Sequence, residues 1–197
     1  MLVHPLPDPV AISIGPLSVH WYGLMYLLAF VLFIMLGRIR LKQPHIMHQG
    51  WTVKNLDDML FYGVLGVIIG GRLGEVFFYN PAYFFSHPLQ IFAVWHGGMS
   101  YHGGFIGVIV AAWIWCRKNH KNIVATLDLI APLIPLGYAA GRLGNFINAE
   151  LPGRIADPSL PWAMIWPNVD MLPRHPSPLY QALVDGILMF IILWIYA

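Results

Sequence analysis

Long apolar runs, separated by short polar, basic or proline-rich stretches, dominate this chain. Five runs of about 20 residues predict membrane-spanning helices over roughly 18–37, 57–78, 97–115, 126–148 and 178–197. That length, at about 1.5 Å per residue, covers the roughly 30 Å of a bilayer's hydrocarbon. Backbone polar groups in lipid have no water to bond, so helix is the form such runs take. Pro132 and Pro135 fall inside the fourth run and predict a kink there. The stretch 149–176 holds Pro152, Pro158, Pro161, Pro167, Pro173 and Pro176 together with Trp162 and Trp166. Proline disfavours helix interiors and central strands, and tryptophan favours the membrane interface, so a small irregular cap is predicted. The 79–96 segment, with Tyr83, Phe84, Phe85 and Trp95 and neither Lys nor Arg, also reads as interfacial. No regular repeat or linker appears, so residues 1–197 are expected to form one all-α, polytopic membrane domain.

Composition agrees with that reading: 58% of the residues are apolar and 10% charged, against about 45–50% and 25% in soluble domains. The net charge of +2 and the lack of a basic stripe give no footing for a nucleic-acid partner. A single cysteine, Cys116, excludes an internal disulfide framework. Residues 1–17 lack a basic leading region and are interrupted by Pro5, Pro7, Pro9 and Pro16, unlike a cleaved signal peptide. Arg38, Arg40, Lys42 and Lys54 lie between the first two spans, and Arg117, Lys118 and Lys121 between the third and fourth; the other loops hold only Arg154 and Arg174. Cytoplasmic loops carry the excess of basic residues, so the N-terminus and the 149–176 cap are expected on the outer side.

Gly66, Gly70 and Gly74 recur at four-residue spacing, as do Gly103 with Gly107 and Gly137 with Gly141. Such stripes let membrane helices approach closely. Polar residues then form a layer near the outer ends of the spans: Tyr22, Arg72, Glu75, His102, Arg142 and Asn145. Helical rise puts them roughly 4–9 Å below the outer boundary. An arginine at mid-helix costs about 2.5–3.5 kcal/mol on insertion scales, and less near the interface. Snorkelling to the headgroups or an Arg72–Glu75 pair would be an ordinary structural explanation. A phospholipid phosphate is the ligand that suits two cations at headgroup depth, because the arginine fork matches phosphate oxygens. His102 can exchange a proton near neutral pH. His96 and His102, six apart, do not share a helix face, and no Cys or His cluster accompanies them, so no metal is expected.

Four segments carry a family likeness: His20-Trp21-Tyr22-Gly23, Gly98-Met99-Ser100-Tyr101-His102-Gly103-Gly104, Gly141 through Arg154, and Arg174-His175-Pro176-Ser177-Pro178-Leu179-Tyr180. In this order and over the whole chain they resemble the bacterial prolipoprotein diacylglyceryl transferases. The resemblance implies an inner-membrane enzyme that moves the diacylglyceryl group of phosphatidylglycerol onto the lipobox cysteine of a prolipoprotein. A thioether forms and glycerol 1-phosphate leaves, with no metal or organic cofactor. It implies that Arg142 binds the lipid phosphate, with Asn145, Asn148, Glu150, Gly153 and Arg154 shaping the headgroup site. His102 and Tyr22 stand at positions where the family is sensitive to change. Arg72 joins the phosphatidylglycerol-binding set on depth and charge.

The chemistry is coherent with the polar layer. A cysteine thiol has a pKa near 8.5 and reacts as thiolate, so His102 is a candidate general base. Arg142 is suited to the charge left on the departing phosphate. Two departures accompany the likeness. Gln181 stands where many relatives have a carboxylate, and the chain ends in the apolar run Trp194-Ile195-Tyr196-Ala197, where the family has further helices and another functional Arg. The 197 residues alone are therefore expected to be truncated and nearly inactive. The competing functions are anion or lipid transport, and a lipid-binding module without chemistry. Transport sites lie nearer the midplane, and the inner halves of these spans carry few polar residues besides Asp128 and Asp185.

Overall fold

The computed structural model describes residues 2–15, 17–94 and 97–197, so Met1, Pro16, Trp95 and His96 lie outside the described residues. In chain order the elements are β1 (Leu2–Val3), β2 (Val10–Ile14), β3 (Leu17–His20), α1 (Trp21–Arg40), α2 (Pro44–Met47), α3 (Val53–Gly74), α4 (Pro81–Ser86), α5 (Tyr101–Lys118), α6 (Ile123–Ile130), α7 (Pro135–Ile147), β4 (Met164–Trp166), β5 (Asp170–Arg174), α8 (Ser177–Gln181) and α9 (Met189–Tyr196). Wider π turns at Glu75–Tyr79 and Ala182–Leu188 extend α3 and join α8 to α9. Among the described residues, three helical stretches are long and apolar enough to cross a membrane: Trp21–Arg40, Val53–Tyr79 and Ser177–Tyr196. A fourth span is available if Ile123–Leu133 and Pro135–Ile147 count as one bent helix. The bend falls where Pro132 and Pro135 were expected to kink the run. Here a short 3-10 turn, Ala131–Leu133, replaces α-helical bonding. The expected third span is α5, whose 18 residues begin with Tyr101-His102-Gly103-Gly104 and end with Arg117-Lys118. Those ends leave its apolar stretch short of the about 20 residues a span needs. The count of about five spans thus holds only approximately.

The chain forms two compact units, residues 1–39 with 128–197, and residues 40–127. In the second, α3 packs along α5 through glycines, as the stripe predicted. A Cβ on Gly70 would lie 2.7 Å from the Gly107 Cα, and one on Gly74 2.8 Å from the Gly103 Cα. The backbones touch where side chains would otherwise stand. The α5 C-terminal end of this pair is closed by Trp115, 1% exposed, which stacks on Trp51 at 6.4 Å.

Arg72 organises the other end of that unit. It is 6% exposed. Its Nε donates to the Ile91 carbonyl at 2.8 Å, Nη1 to Gly97 and Gly98 at 2.7 and 3.0 Å, and Nη2 to Gln90 and Ala93 at 2.5 and 3.1 Å. A guanidinium has five N–H donors, and carbonyls take all of them. Arg72, expected in the phosphatidylglycerol-binding set, here saturates the backbone of a segment that has few ladder bonds of its own. The Arg72–Glu75 pair is absent as well, since Glu75 Oε1 instead accepts from Asn80 Nδ2 at 2.6 Å.

In the first unit, α7 packs on α1 and on the C-terminal helix. A Cβ on Gly137 would lie 3.1 Å from that of Ala29, and one on Gly186 3.0 Å from the Ala139 Cα. A Cβ on Gly141, expected on the same packing stripe as Gly137, would meet nothing within 4 Å among the described residues; Gly144 takes that part. The 149–176 stretch is less irregular than its prolines implied. It contains the antiparallel pair β4–β5, and β1 adds parallel to β4 in the order β1-β4-β5. Pro173 is accommodated because β5 ends the sheet, where a missing N–H breaks no central ladder. Trp166, expected at the interface, is 0% exposed. It stacks on His4 at 4.4 Å with Phe146 edge-on at 5.7 Å. His4 Nε2 lies 2.8 Å from the Phe146 carbonyl and bonds it, which ties the chain's start to the end of α7. A second hairpin, β2–β3, had no counterpart in the periodicity.

Two outcomes follow. Gly107→Ala should cost about 1–3 kcal/mol, because its Cβ meets backbone atoms that cannot turn aside. Thermal unfolding in detergent reads this, and Gly63→Ala, with nothing within 4 Å, should leave the midpoint unchanged or higher. Arg72→Gln should accelerate amide exchange across 89–94 by about tenfold or more, by leaving carbonyls unbonded.

Candidate active site

The expected site residues divide between the units. Tyr22, Arg142, Asn145, Asn148, Glu150, Gly153 and Arg154 belong to the first, and Arg72 and His102 to the second.

In the first unit, the end of α7 and the turn after it form a hydrogen-bonded chain. Arg142 Nη1 donates to Asn145 Oδ1 at 3.1 Å, and Asn145 Nδ2 donates to Glu150 Oε2 at 2.8 Å. Asn148 Nδ2 reaches Glu150 Oε1 at 3.4 Å, and the Glu150 N–H donates to the Asn145 carbonyl at 2.8 Å. One turn of helix puts Arg142 and Asn145 side by side, and the chain must then fold back to bring Glu150 under them. Ala149 and Leu151 accomplish this at φ +55°, a left-handed conformation that costs non-glycine residues about 1–3 kcal/mol. Asn168 Nδ2 supports the turn by donating to the Ala149 carbonyl at 3.0 Å.

Arg142 differs from Arg72 in what it leaves open. Its guanidinium carbon lies 4.6 Å from the Tyr138 ring centre, a cation–π contact one helical turn away. Its Nε is buried with no hydrogen-bond partner among the described residues, as is Asn148 Oδ1. An arginine held by one side-chain bond and a ring, beside a carboxylate-anchored asparagine, keeps a fork of donors for an anion. Tyr22 stands in the first turn of α1. The missing side chain of Gly144 admits its ring: a Cβ there would lie 3.0 Å from Tyr22 Cδ2.

Gly153 is held by backbone bonds on both sides: its N–H donates to the His175 carbonyl at 2.9 Å, and the His175 N–H donates to the Arg154 carbonyl at 3.0 Å. A Cβ on Gly153 would lie 2.5 Å from the His175 oxygen, so no larger residue fits. Arg174 fixes this approach. It donates to the Gly153 carbonyl at 3.0 Å and grips Asp170 through two bonds of 3.1 and 2.6 Å. The hydrogen bonds from Arg174 hold the Asp170 carboxyl below its ordinary value. The Arg154 side chain is exposed and bonds nothing among the described residues. Tyr180 joins the same region, accepting from Trp162 Nε1 at 2.7 Å and lying 3.1 Å from His175 Nδ1.

In the second unit, His102 is in the first turn of α5. Ser100 caps that helix by accepting the Gly103 N–H at 3.0 Å, and donates its own N–H to the Gly71 carbonyl at 2.9 Å. Gly98, at φ +73°, has the Arg72 guanidinium 3.1 Å from where a Cβ would stand. The segment leading to His102 is thus tied to α3 at several points. The imidazole itself is exposed, with Nδ1 3.5 Å from the Tyr79 hydroxyl. Among the described residues no group of three or more His, Cys, Asp or Glu is arranged to hold a metal ion. Tyr79, Tyr138 and Asn168 were not singled out from the sequence. Tyr138 alone had a readable signal, its four-residue spacing from Arg142.

A family model described as prolipoprotein diacylglyceryl transferase matches residues 9–197. Among similar proteins is one from Janthinobacterium sp. (strain Marseille), 72% identical over 197 residues, covering 100% of this chain and 74% of that protein. Others come from Dechloromonas aromatica (strain RCB), 63% identical over 98% of this chain and 73% of that protein, and Azoarcus sp. (strain BH72), 61% identical over 100% and 74%. All three bear the name phosphatidylglycerol–prolipoprotein diacylglyceryl transferase. This multi-pass helical membrane chain belongs to the prolipoprotein diacylglyceryl transferase family.

Proposed function

We propose that the protein is a transferase that moves the diacylglyceryl group of phosphatidylglycerol to a prolipoprotein, the acceptor being the thiol of the lipobox cysteine. The observation that carries the site assignment is the Arg142 guanidinium, anchored through Asn145 to Glu150 while its Nε remains buried and unpartnered. That arrangement suits one phosphodiester. Asn145 and Asn148 both donate to Glu150, so the carboxylate fixes the two amides. Gly153 and Arg154 follow on the same loop, where the exposed Arg154 suits the headgroup.

In the reaction, His102 takes the thiol proton, the thiolate attacks the glyceryl carbon, and the carbon–oxygen bond breaks with its electron pair going to the phosphate. Glycerol 1-phosphate leaves, and Arg142 stabilises the added charge on its oxygens. Tyr22 packs on Gly144 beside the arginine's helix and orients the headgroup. The acceptor side is the outer face of a bacterial inner membrane, which the loop asymmetry of Lys and Arg supports. The transport alternative is not favoured: Arg72, one of the cations it would use, has given every donor to carbonyls.

The test is glycerol 1-phosphate release by the full-length protein with phosphatidylglycerol and a lipobox-cysteine peptide. Arg142→Gln should lower kcat/KM by about 10²–10³-fold, and His102→Gln by about 10²–10⁴-fold. Near-normal turnover in either variant removes that residue from its role, and no release by the unaltered protein defeats the whole reading.

A further inference from the structure

A neutral imidazole has one N–H and one basic nitrogen, and the hydrogen bond made by one nitrogen sets which of them can accept a thiol proton. Among the described residues, the side chain that meets the ring's nitrogen is Tyr79, whose hydroxyl lies 3.5 Å from Nδ1. Tyr101 touches the ring only by its edge, 5.7 Å between centres.

The position of Tyr79 comes from the π turn that ends the long helix. Gly66, Gly70 and Gly74 keep the α-helical four-residue spacing and face α5. Had that helix continued unbroken, Phe77 and Phe78 would have come next on the same face. Instead the chain widens over Glu75–Tyr79, closed by the Asn80 N–H donating to the Glu75 carbonyl at 3.0 Å. Each wider turn takes one more residue, so the facing position passes from Phe78 to Tyr79. Phe78 is 78% exposed, while the Tyr79 hydroxyl reaches the first turn of α5. Glu75 Oε1, bonded to the Asn80 side chain, pins the widened turn from within. Single π turns inserted in α-helices recur at functional sites for this reason: they re-aim a side chain without disturbing the packing before it.

We propose that Tyr79 is a positioning residue for His102, its phenol oxygen accepting the Nδ1–H and so presenting the Nε2 lone pair to the acceptor thiol. This rests on the reading of His102 as the base. The proton passes from the cysteine sulfur to Nε2, the thiolate forms its bond to the glyceryl carbon, and the broken carbon–oxygen bond leaves its electron pair on phosphate. Through this step the Nδ1–H···O bond persists and becomes charge-assisted, hence stronger, as the ring turns cationic. An interaction that strengthens toward the transition state acts on kcat and leaves KM nearly alone. The separation is 3.5 Å, and catalytic hydrogen bonds are often this long in the absence of substrate.

The experiment uses the full-length protein with ¹⁵N-labelled histidine, the His102 signal being identified by its loss in His102→Gln. The unaltered protein should show His102 mainly as the Nδ1–H tautomer, and Tyr79→Phe should abolish that bias. The same variant should lower kcat about tenfold, with KM within about twofold. Phe78→Leu, the neighbouring exposed ring, should change neither. An Nε2–H tautomer in the unaltered protein overturns the proposal even if a variant fails to fold. So does a Tyr79→Phe enzyme with normal kcat and normal tautomer. A fully active His102→Gln defeats the general-base reading itself, whereas an inactive His102→Gln beside an unimpaired Tyr79→Phe defeats only the role of Tyr79.

Discussion

A guanidinium buried in a membrane protein must have partners for its N–H groups, and the partners it has decide what else it can bind. Arg72 and Arg142 meet this requirement in opposite ways. The Arg72 donors end on the carbonyls of Gln90, Ile91, Ala93, Gly97 and Gly98, so its charge is absorbed by backbone dipoles. Arg142 has one amide oxygen and the face of Tyr138. The first arginine builds a segment of chain; the second is left competent for an anion. The proposed function uses the second of these, on α7, as the group that meets the phosphate.

Holding that arginine requires backbone geometry that would be costly elsewhere. Ala149 and Leu151 adopt left-handed conformations to fold Glu150 back toward Asn145, and Gly153 is pressed against His175 with no room for a Cβ. These local costs are offset by a buried cluster at the base of the turn, where His4, Phe146 and Trp166 stack and Ala149 is 7% exposed. In the other unit, glycine-to-glycine contact between α3 and α5 plays the same supporting part for His102. Close packing in lipid depends on small residues because apolar side chains gain little by leaving one oily environment for another.

Much of this was legible in the chain. Runs of apolar residues located the helices to within a few positions, because lipid leaves the backbone no alternative. The 141–154 motif marked the residues that the hydrogen-bonded chain from Arg142 to Glu150 later joins. What could not be read was set by contacts distant in sequence or by backbone geometry without a residue signature. The carbonyls that occupy Arg72 lie 18 to 26 residues away. The π turn at Glu75–Tyr79 has the composition of ordinary helix, so the facing of Tyr79 was hidden. The prolines of 149–176 argued against strand, yet Pro173 fits the last strand of its sheet, and Trp166 is drawn inward by His4. Gly141 shared the spacing of a packing residue but had nothing to pack on.

The central claim, that one embedded arginine is open to lipid phosphate and the other is closed, is best tested by phosphatidylglycerol binding to the full-length protein in nanodiscs of neutral lipid. Native mass spectrometry across a titration gives the affinity. Arg142→Gln should weaken binding at least about tenfold, in line with a lost charge-assisted bond, whereas Arg72→Gln should stay within about twofold of the unaltered protein. Equal losses in both variants, or a loss confined to Arg72→Gln, would contradict the account.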